Sequence, residues 1–335
     1  MTAPSAAPQA RPRLKQRFSE FILGPPFARR LALSHACDDF GDAMVNLSLV
    51  NSLFLSVSLD ASRSRIMIYL LLTAAPLAMV APIVGNVLDR TRLGYGIAIS
   101  GTQLVRAVVS LALIGSLLSV ALYPLAFLVL LSRNVYALAK TTLLSQMTDD
   151  PQELLRSDAH IGRTGSLVGG VGTAIGGVLL ATGHVTPMLL IAAPAYTVAA
   201  LVSRALPRKK SAVLIRAVPT MREAIPRRLW SATVAVTAVR AAAGALTYLL
   251  AFAMKGGGAD TWIFAAALFA AGGGRVVANL LAPRIHRVLD PDWVLVLALL
   301  VPGVICALGV LTVGNLGVLA IAFSIGLGHG AGTRT

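Results

Sequence analysis

Residues 95–142 read YGIAISGTQLVRAVVSLALIGSLLSVALYPLAFLVLLSRNVYALAKTT, a stretch that is apolar almost throughout and carries only three charged side chains. A helix needs ~20 predominantly apolar residues to cross the ~30 Å hydrocarbon core of a bilayer, so this stretch is long enough for two crossings. The segment from Leu118 to Pro124 contains the residues of a tight turn. We therefore predict two membrane-spanning helices joined by a short turn.

Apolar stretches of spanning length fill the rest of the chain from about Leu31 onward. Hydrophobic residues make up 56% of the sequence and charged residues 13%, and most of the charges lie between the apolar stretches. A water-facing surface needs more charge than this, so the composition excludes a soluble protein. We predict an all-α polytopic membrane protein with about ten transmembrane helices, at residues 31–57, 64–88, 95–118, 120–142, 161–183, 186–204, 229–253, 259–282, 292–313 and 315–333.

The positions of the basic residues predict the topology. If the N-terminus is cytoplasmic, the tail and the inside loops hold 21 Lys and Arg residues, and the outside loops hold only Arg63, Arg65 and Lys255. Cytoplasmic loops are enriched in Lys and Arg, so we predict a multi-pass protein of the cell membrane with this orientation. The predicted organisation is a basic cytoplasmic tail, a six-helix half, a cytoplasmic central loop and an incomplete four-helix half, at residues 1–30, 31–204, 205–228 and 229–335.

Several functional classes find no support in the sequence. The formal charge of +15 is spread over many loops and forms no single basic patch, so we expect no nucleic-acid partner. Cys37 and Cys306 lie inside apolar stretches without the spacing of a metal site, and we expect neither a metal nor a cofactor. No zinc-binding motif, phosphate loop or catalytic triad is present, so we expect no enzyme. Any transport would be passive or driven by an ion gradient.

Carboxylates inside the first predicted span are candidates for a functional or structural role. Asp38, Asp42 and Asn46 follow one another at four-residue spacing and share one face of a helix. An Asp at the centre of a span costs ~2.5–3.5 kcal/mol on insertion scales, so a lipid-facing position is disfavoured. For Asp38 and Asp39 we favour a structural ion pair near the cytoplasmic end. For Asp42, which lies deeper, a proton-carrying role and a structural role are both open.

Four arginines inside spans are candidate partners for these carboxylates. Arg106 and Arg240 lie deep in the third and seventh spans, where each could bind an anionic substrate or an Asp. Arg133 and Arg275 lie closer to a cytoplasmic end, where reaching toward the interface or locking a pair of helices is expected. The histidines at or near span ends, His35, His160 and His184, are assigned no role.

The two halves of the chain contain related segments. Residues 85–92 (GNVLDRTR) end the second span, and residues 278–287 (ANLLAPRIHR) end the eighth, at an offset of about 193 residues. With the same offset, residue 335 corresponds to Thr142 in the first half, so the second half would lack two spans. Internal repeats of this kind are common in secondary transporters.

The segment GNVLDRTRLG at residues 85–94 resembles the cytoplasmic-loop signature of the major facilitator superfamily. Gly85, Asp89 and Arg90 match that signature in order and spacing, whereas Arg92 stands where the family has a Gly. Gly allows close approach of two helices, and Asp89 can cap a helix or pair with a basic residue. The resemblance implies that Gly85, Asp89, Arg90 and Arg92 form a cytoplasmic latch between the second and third spans.

Further matches extend the resemblance along the chain. Arg133 is similar to an Arg in the family's fourth span, and residues 165–177 (GSLVGGVGTAIGG) resemble the Gly-rich fifth span of its exporters, with Gly172-Thr173 in place of the frequent Gly-Pro. Residues 150–156 (DPQELLR) look like a loop of the branch that contains siderophore and macrolide exporters. Residues implied to act in helix packing or conformational change are Arg133, Gly169, Gly172, Gly176 and Gly177.

The resemblance implies two six-helix halves around a midplane cavity and alternating access. The expected function is proton-coupled efflux of a small molecule by an antiporter in the lipid bilayer, acting as a monomer. Asp42, Asp38, Arg106 and Arg240 are the candidate residues for proton coupling or substrate binding. The alternatives are a truncated, transport-inactive membrane protein and, less favoured, a membrane-embedded enzyme.

Overall fold

The computed structural model of the protein describes residues 28–55, 58, 64, 67–68, 94–148, 150–206, 252–258, 260–285, 291–311 and 314–332. All regular secondary structure in these ranges is helical. Numbered in chain order, the long helices are α1 (Arg29–Val50), α2 (Tyr95–Ile114), α3 (Leu122–Ser145), α4 (Pro151–Ala181), α5 (Thr186–Arg204), α6 (Thr261–Ile285), α7 (Pro291–Leu311) and α8 (Asn315–Gly332). A π-helical turn, Asn51–Leu55, continues α1.

Helices lie at the positions of eight of the predicted spans, and the ends that differ most are the end of α2 and the start of α4. Helix α2 ends at Ile114, four residues earlier than predicted, and the turn occupies residues 115–121. Pro124 lies in the first turn of α3, where a missing backbone N–H costs nothing. Helix α4 begins ten residues before its predicted span, at Pro151, a residue that suits the first position of a helix. The predicted spans 64–88 and 229–253 fall almost wholly outside the described residues.

Four of these helices are long and apolar enough to cross a membrane: α2, α3, α5 and the Arg156–Ala181 part of α4. Apolar side chains on their outer faces remain exposed at helical spacing. On α4, for example, Val171, Ile175 and Val178 follow one another at intervals of four and three residues. Exposed apolar stripes of this kind are typical of surfaces that contact lipid or another protein. The described chain therefore has the features of a helical membrane protein.

Helix α1 is different, because three Asp residues interrupt its apolar sequence. It packs mainly against α4 and α5, and α5 packs against α2, which in turn contacts α3. The carboxylates of α1 are thus placed among other helices, where polar partners are available. This arrangement avoids the cost of an unpaired charge facing hydrocarbon.

The helices α6, α7 and α8 form a second group, which packs through α4 onto the first group, α1 to α5. Helix α6 contacts α4 on one side and α8 on the other, and α8 contacts α7. The crossing of α6 and α8 is close, because a Cβ atom at Gly274 would overlap the carbonyl oxygen of Phe323, and one at Gly326 would overlap that of Ala271. Small residues allow such close crossings in membranes, where packing is the main driving force between helices.

Candidate functional site

A buried arginine joins α2 to α1. The side chain of Arg106 is inaccessible to solvent. Its Nη1 and Nη2 donate to Asp38 Oδ2 and Oδ1 at 3.0 and 2.5 Å, and Nη1 also donates to Asp42 Oδ1 at 2.8 Å. Asp38 and Asp42 are one helical turn apart on the inner face of α1. A single guanidinium can therefore reach both carboxylates, and the pairing with Asp38 is bidentate.

Side chains from three helices form hydrogen bonds or ion pairs with the carboxylate of Asp42. Besides Arg106 of α2, the hydroxyl of Tyr196 on α5 donates to Asp42 Oδ1 at 2.6 Å. The Nε of Arg133 on α3 lies 3.3 Å from Asp42 Oδ2. Arg133 is 44% exposed at its side chain, so this contact lies at the edge of the buried cluster. Asp42 is thus a junction at which α1 meets α2, α3 and α5.

Two tyrosine rings surround the guanidinium of Arg106. The Arg106 Cζ atom lies 4.9 Å from the centroid of the Tyr196 ring and 5.2 Å from that of Tyr136. A cation within ~6 Å of an aromatic ring centroid is attracted by the negative face of the ring. The rings also exclude solvent from the ion pairs, which strengthens the electrostatic attraction between the charges.

A second polar cluster lies one helical turn away from Asp38 along α1. Gln103 Nε2 donates to Ser34 Oγ at 2.9 Å, and Ser203 Oγ donates to Gln103 Oε1, also at 2.9 Å. The hydroxyl oxygens of Ser34 and Ser203 lie 2.6 Å apart, which closes a ring of three buried side chains from α1, α2 and α5. Buried polar groups that find partners in this way avoid the cost of desolvation without a hydrogen bond.

The imidazole of His35 connects the ion cluster to α3. Its Nδ1 lies 3.0 Å from the hydroxyl of Tyr136, its Nε2 lies 3.7 Å from Asp39 Oδ2, and Lys140 Nζ is 3.5 Å away. A Cβ atom at Gly165 of α4 would lie 2.5 Å from Asp39 Oδ2. The absence of a side chain at Gly165 therefore makes room for the carboxylate of Asp39.

One group of side chains meets a geometric criterion for metal binding. Ligand atoms of His35, Asp38 and Asp39 lie within 4.8 Å of one another. However, both carboxylate oxygens of Asp38 accept hydrogen bonds from Arg106. A metal ion would have to displace the guanidinium and would also be repelled by it. These residues are better described as part of the hydrogen-bonded network than as a metal site.

A cavity of about 190 Å³ with charged groups in its wall lies beside the ion cluster, between α6 and the helices α1, α3 and α4. Its wall contains two carboxylates, two guanidinium groups and several small polar side chains. The lining residues are Asp39, Asp42, Ala43, Asn46, Leu47 and Val50 of α1, Arg133 of α3, Gly165, Ser166, Gly169, Gly170 and Thr173 of α4, and Leu268, Gly272 and Arg275 of α6. The cavity therefore lies where the two groups of helices meet.

The glycines of α4 face two different helices. Cβ atoms built at Gly169, Gly172 and Gly176 would come within 3.4 Å of atoms in α1, whereas one at Gly177 would lie 3.6 Å from Ala265 Cβ of α6. The α1 face is the tighter of the two. Three of the glycines predicted to act in helix packing, Gly169, Gly172 and Gly176, thus allow α4 to pack closely against α1, the helix that carries the carboxylates.

The structure brings together some of the residues predicted from the sequence but not all of them. Asp38, Asp42, Arg106 and Arg133 form one network, and Arg275 lines the adjacent cavity. Asn46, which was expected on the same face as the carboxylates, also lines that cavity. The residues that lie outside the described part of the chain are Gly85, Asp89, Arg90, Arg92 and Arg240.

Sequence reasoning missed several members of the network. Tyr136 and Tyr196 lie within spans, where a hydroxyl in an apolar sequence needs a partner, and this was the available signal. His35 was assigned no role, although it precedes Asp39 by four residues, which is about one helical turn and places both on the same face of α1. Gln103 and Ser203 gave no signal of their pairing, because they are distant in sequence and belong to different spans.

No family model matches the chain. It is similar to an uncharacterised protein of Mycobacterium leprae (strain TN), with 27% identity over 133 residues that cover 38% of this chain and 23% of that protein. It is also similar to an uncharacterised protein of Mycobacterium tuberculosis (strain ATCC 25618 / H37Rv), with 28% identity over 133 residues that cover 38% of this chain and 24% of the relative. The chain spans about a quarter of the length of these curated relatives.

Proposed function

We propose that the protein is a secondary active transporter of the major facilitator type, which moves a small molecule across the cell membrane by alternating access. The observation that carries the proposal is the cavity between α6 and the helices α1, α3 and α4, with both carboxylates and guanidinium groups in its wall. Ionisable side chains inside a membrane protein are costly, and they commonly mark substrate or ion pathways. A site between two groups of helices is also what alternating access requires.

Proton coupling is proposed to occur at Asp42. This carboxylate lies in the cavity wall and is paired with Arg133, whose side chain is partly exposed. Protonation of Asp42 would neutralise the carboxylate and weaken its attraction for Arg133. Because Arg133 is on α3 and Asp42 is on α1, a proton at this site would alter a contact between two helices. The partners Arg106 and Tyr196 lie on the buried side and hold Asp42 in position.

The direction and the topology are proposed from the sequence. Export, and hence proton antiport, is suggested by the resemblance of residues 165–177 to the Gly-rich span of exporters. A cytoplasmic N-terminus is suggested by the distribution of Lys and Arg. In this proposal Gly85, Asp89, Arg90 and Arg92 would form the cytoplasmic latch between the second and third predicted spans.

Proton flux in proteoliposomes tests the proposal. The purified protein would be reconstituted with a pH-sensitive dye inside the vesicles and exposed to amino acids, organic acids, amines and sugars under an imposed pH gradient. We expect at least one solute to accelerate proton movement, and Asp42→Asn to abolish this acceleration. Asp158→Asn, which changes an exposed carboxylate of α4, is the matched control. If Asp42→Asn retains solute-dependent proton flux, Asp42 is not the coupling site.

The same assay separates transport from a purely structural role. Asp38 and Asp42 of α1 are well paired with Arg106, which is also what a transport-inactive membrane protein would need in order to fold. Such a protein would insert, remain monodisperse in detergent and show no solute-dependent flux for any compound of the panel. That result would contradict the transporter proposal.

A further inference from the structure

We propose that the cavity binds a small zwitterion, with the anionic group of the ligand between Arg133 and Arg275 and its cationic group at Asp39. This inference deepens the proposed function by naming a substrate class for the same cavity, and its physiological meaning rests on that function. The binding itself is a separate property that can be measured without transport.

The first support is the charge balance of the cavity. Its ionisable lining residues are two carboxylates, Asp39 and Asp42, and two guanidinium groups, Arg133 and Arg275. A ligand that carries a single charge can pair with groups of only one sign in this wall. A zwitterion adds no net charge and offers a partner to groups of both signs.

The second support is that the arginines retain hydrogen-bonding capacity. Arg133 uses its Nε for Asp42, and its two terminal nitrogens make no hydrogen bond to the described part of the chain. Arg275 lines the cavity from α6 and forms no ion pair with the described residues. Guanidinium groups bind carboxylate and phosphate oxygens through paired N–H donors, so both arginines are suited to bind the anionic group of a ligand.

The third support is the difference between the two carboxylates. The carboxylate of Asp42 already forms ion pairs with Arg106 and Arg133 and accepts a hydrogen bond from Tyr196. Among the described residues, His35 is the basic side chain that lies within 4 Å of the Asp39 carboxylate, at 3.7 Å, which is beyond hydrogen-bond distance, and the side chain of Asp39 is 17% exposed. Asp39 is therefore the carboxylate with free acceptor capacity for a ligand cation.

The fourth support is the size and the position of the cavity. Its volume of about 190 Å³ is below the ~300–1,000 Å³ of pockets that hold drug-sized ligands, so a small solute is expected. Ser166 and Thr173 add hydroxyl groups to the wall. A zwitterion held by Arg275 of α6 and by Asp39 of α1 would connect the two groups of helices, as a transported substrate must.

Ligands of similar size with different charges test this inference on the full chain in detergent. One set comprises glycine betaine, its anionic analogue 3,3-dimethylbutyrate and the cation choline. The other comprises 4-aminobutyrate, butyrate and butylamine. Thermal shift and equilibrium binding would be measured for each compound. We expect at least one zwitterion to bind about tenfold or more tightly than both of its singly charged analogues, because each analogue loses one charge-assisted interaction.

Substitutions distinguish this mode of binding from general attraction. Arg275→Gln should weaken zwitterion binding about tenfold or more, whereas Arg156→Gln, at an exposed position of α4, should leave it unchanged. Asp39→Asn should reverse the preference, so that the anionic analogue binds more tightly than the zwitterion.

Two results would overturn the inference: a singly charged analogue that binds as tightly as the zwitterion in both sets, or no binding of either zwitterion. Zwitterion binding without transport would instead contradict the proposed function alone. Conversely, transport restricted to solutes without both charges would contradict this inference and leave the transporter proposal intact.

Discussion

Arg106 and Asp38 form a bidentate ion pair between α2 and α1, with Nη1–Oδ2 and Nη2–Oδ1 distances of 3.0 and 2.5 Å. Neither side chain is significantly accessible to solvent. The same guanidinium contacts Asp42 and lies against two tyrosine rings. This pair is therefore the centre of the network that connects the carboxylates of α1 to the rest of the bundle.

Arg106→Gln should destabilise the protein strongly. Removing one partner from a buried ion pair leaves an uncompensated charge, at a cost of about 3–5 kcal/mol. Arg106→Lys should restore little of this loss, because an ammonium group cannot donate in the paired geometry of a guanidinium. The thermal midpoint of the detergent-solubilised protein, followed by size-exclusion chromatography after heating, measures the effect. Arg156→Gln is the control, and equal midpoints for Arg106→Gln and wild type would contradict the prediction.

Tyr196→Phe should have a smaller effect than Arg106→Gln. It removes the hydroxyl that donates to Asp42 at 2.6 Å but keeps the ring beside Arg106. A hydrogen bond to a charged group contributes about 1.5–3 kcal/mol. Tyr196→Leu should cost more, since the attraction between the ring and the cation is also lost. Thermal unfolding compares the variants with Tyr123→Phe, a half-buried tyrosine outside the network. If the Phe and Leu variants were equally stable, the ring would contribute nothing.

Gln103→Leu should destabilise the crossing of α1, α2 and α5. The substitution leaves the hydroxyls of Ser34 and Ser203 without their amide partner, at a cost of about 1–3 kcal/mol. The triple variant with Ser34→Ala and Ser203→Ala should be more stable than Gln103→Leu alone, because it leaves fewer buried polar groups unsatisfied. Thermal midpoints of the wild type, Gln103→Leu and the triple variant in one detergent give the answer. A triple variant less stable than the single one would show that packing, and not hydrogen bonding, dominates there.

Gly326→Val should disrupt the packing of α8 against α6. The added Cβ would overlap the backbone carbonyl of Ala271, which cannot move aside as a flexible side chain can. Overpacking of this kind costs about 1–3 kcal/mol or more. Gly303→Val on α7 is the control, since no atom lies within 4 Å of a Cβ built there. Limited proteolysis and thermal midpoints should show a large change for Gly326→Val and a small one for Gly303→Val. Equal behaviour would mean that the helices separate at little cost.

The helical architecture was largely predictable, because the hydrocarbon thickness sets the length of an apolar span and leaves a clear periodic signal. Residues 95–142 predicted two helices and a turn, and α2 and α3 occupy that stretch. The start of α4 was misplaced by ten residues, because residues 151–160 are polar and a membrane-length criterion does not detect a helix that extends beyond the apolar region. Hydropathy therefore predicts where the apolar part of a helix ends, but it does not predict how far a polar end of the helix extends.

The site, too, was predictable from the sequence only in part. The spacing of Asp38 and Asp42, together with the cost of charge in a bilayer, sufficed to predict a shared polar face on α1 and arginine partners from other spans. Which arginine pairs with which carboxylate is decided by the packing of α1 against α2, α3 and α5. The same packing places Tyr196 on Asp42 and leaves Asp39 facing a cavity with Arg275. These contacts join residues up to 154 positions apart in the chain, and no local pattern encodes such a distance. The sequence alone determines that charges must be buried and paired, whereas only the tertiary structure determines the pairs, because helix crossings decide which side chains meet.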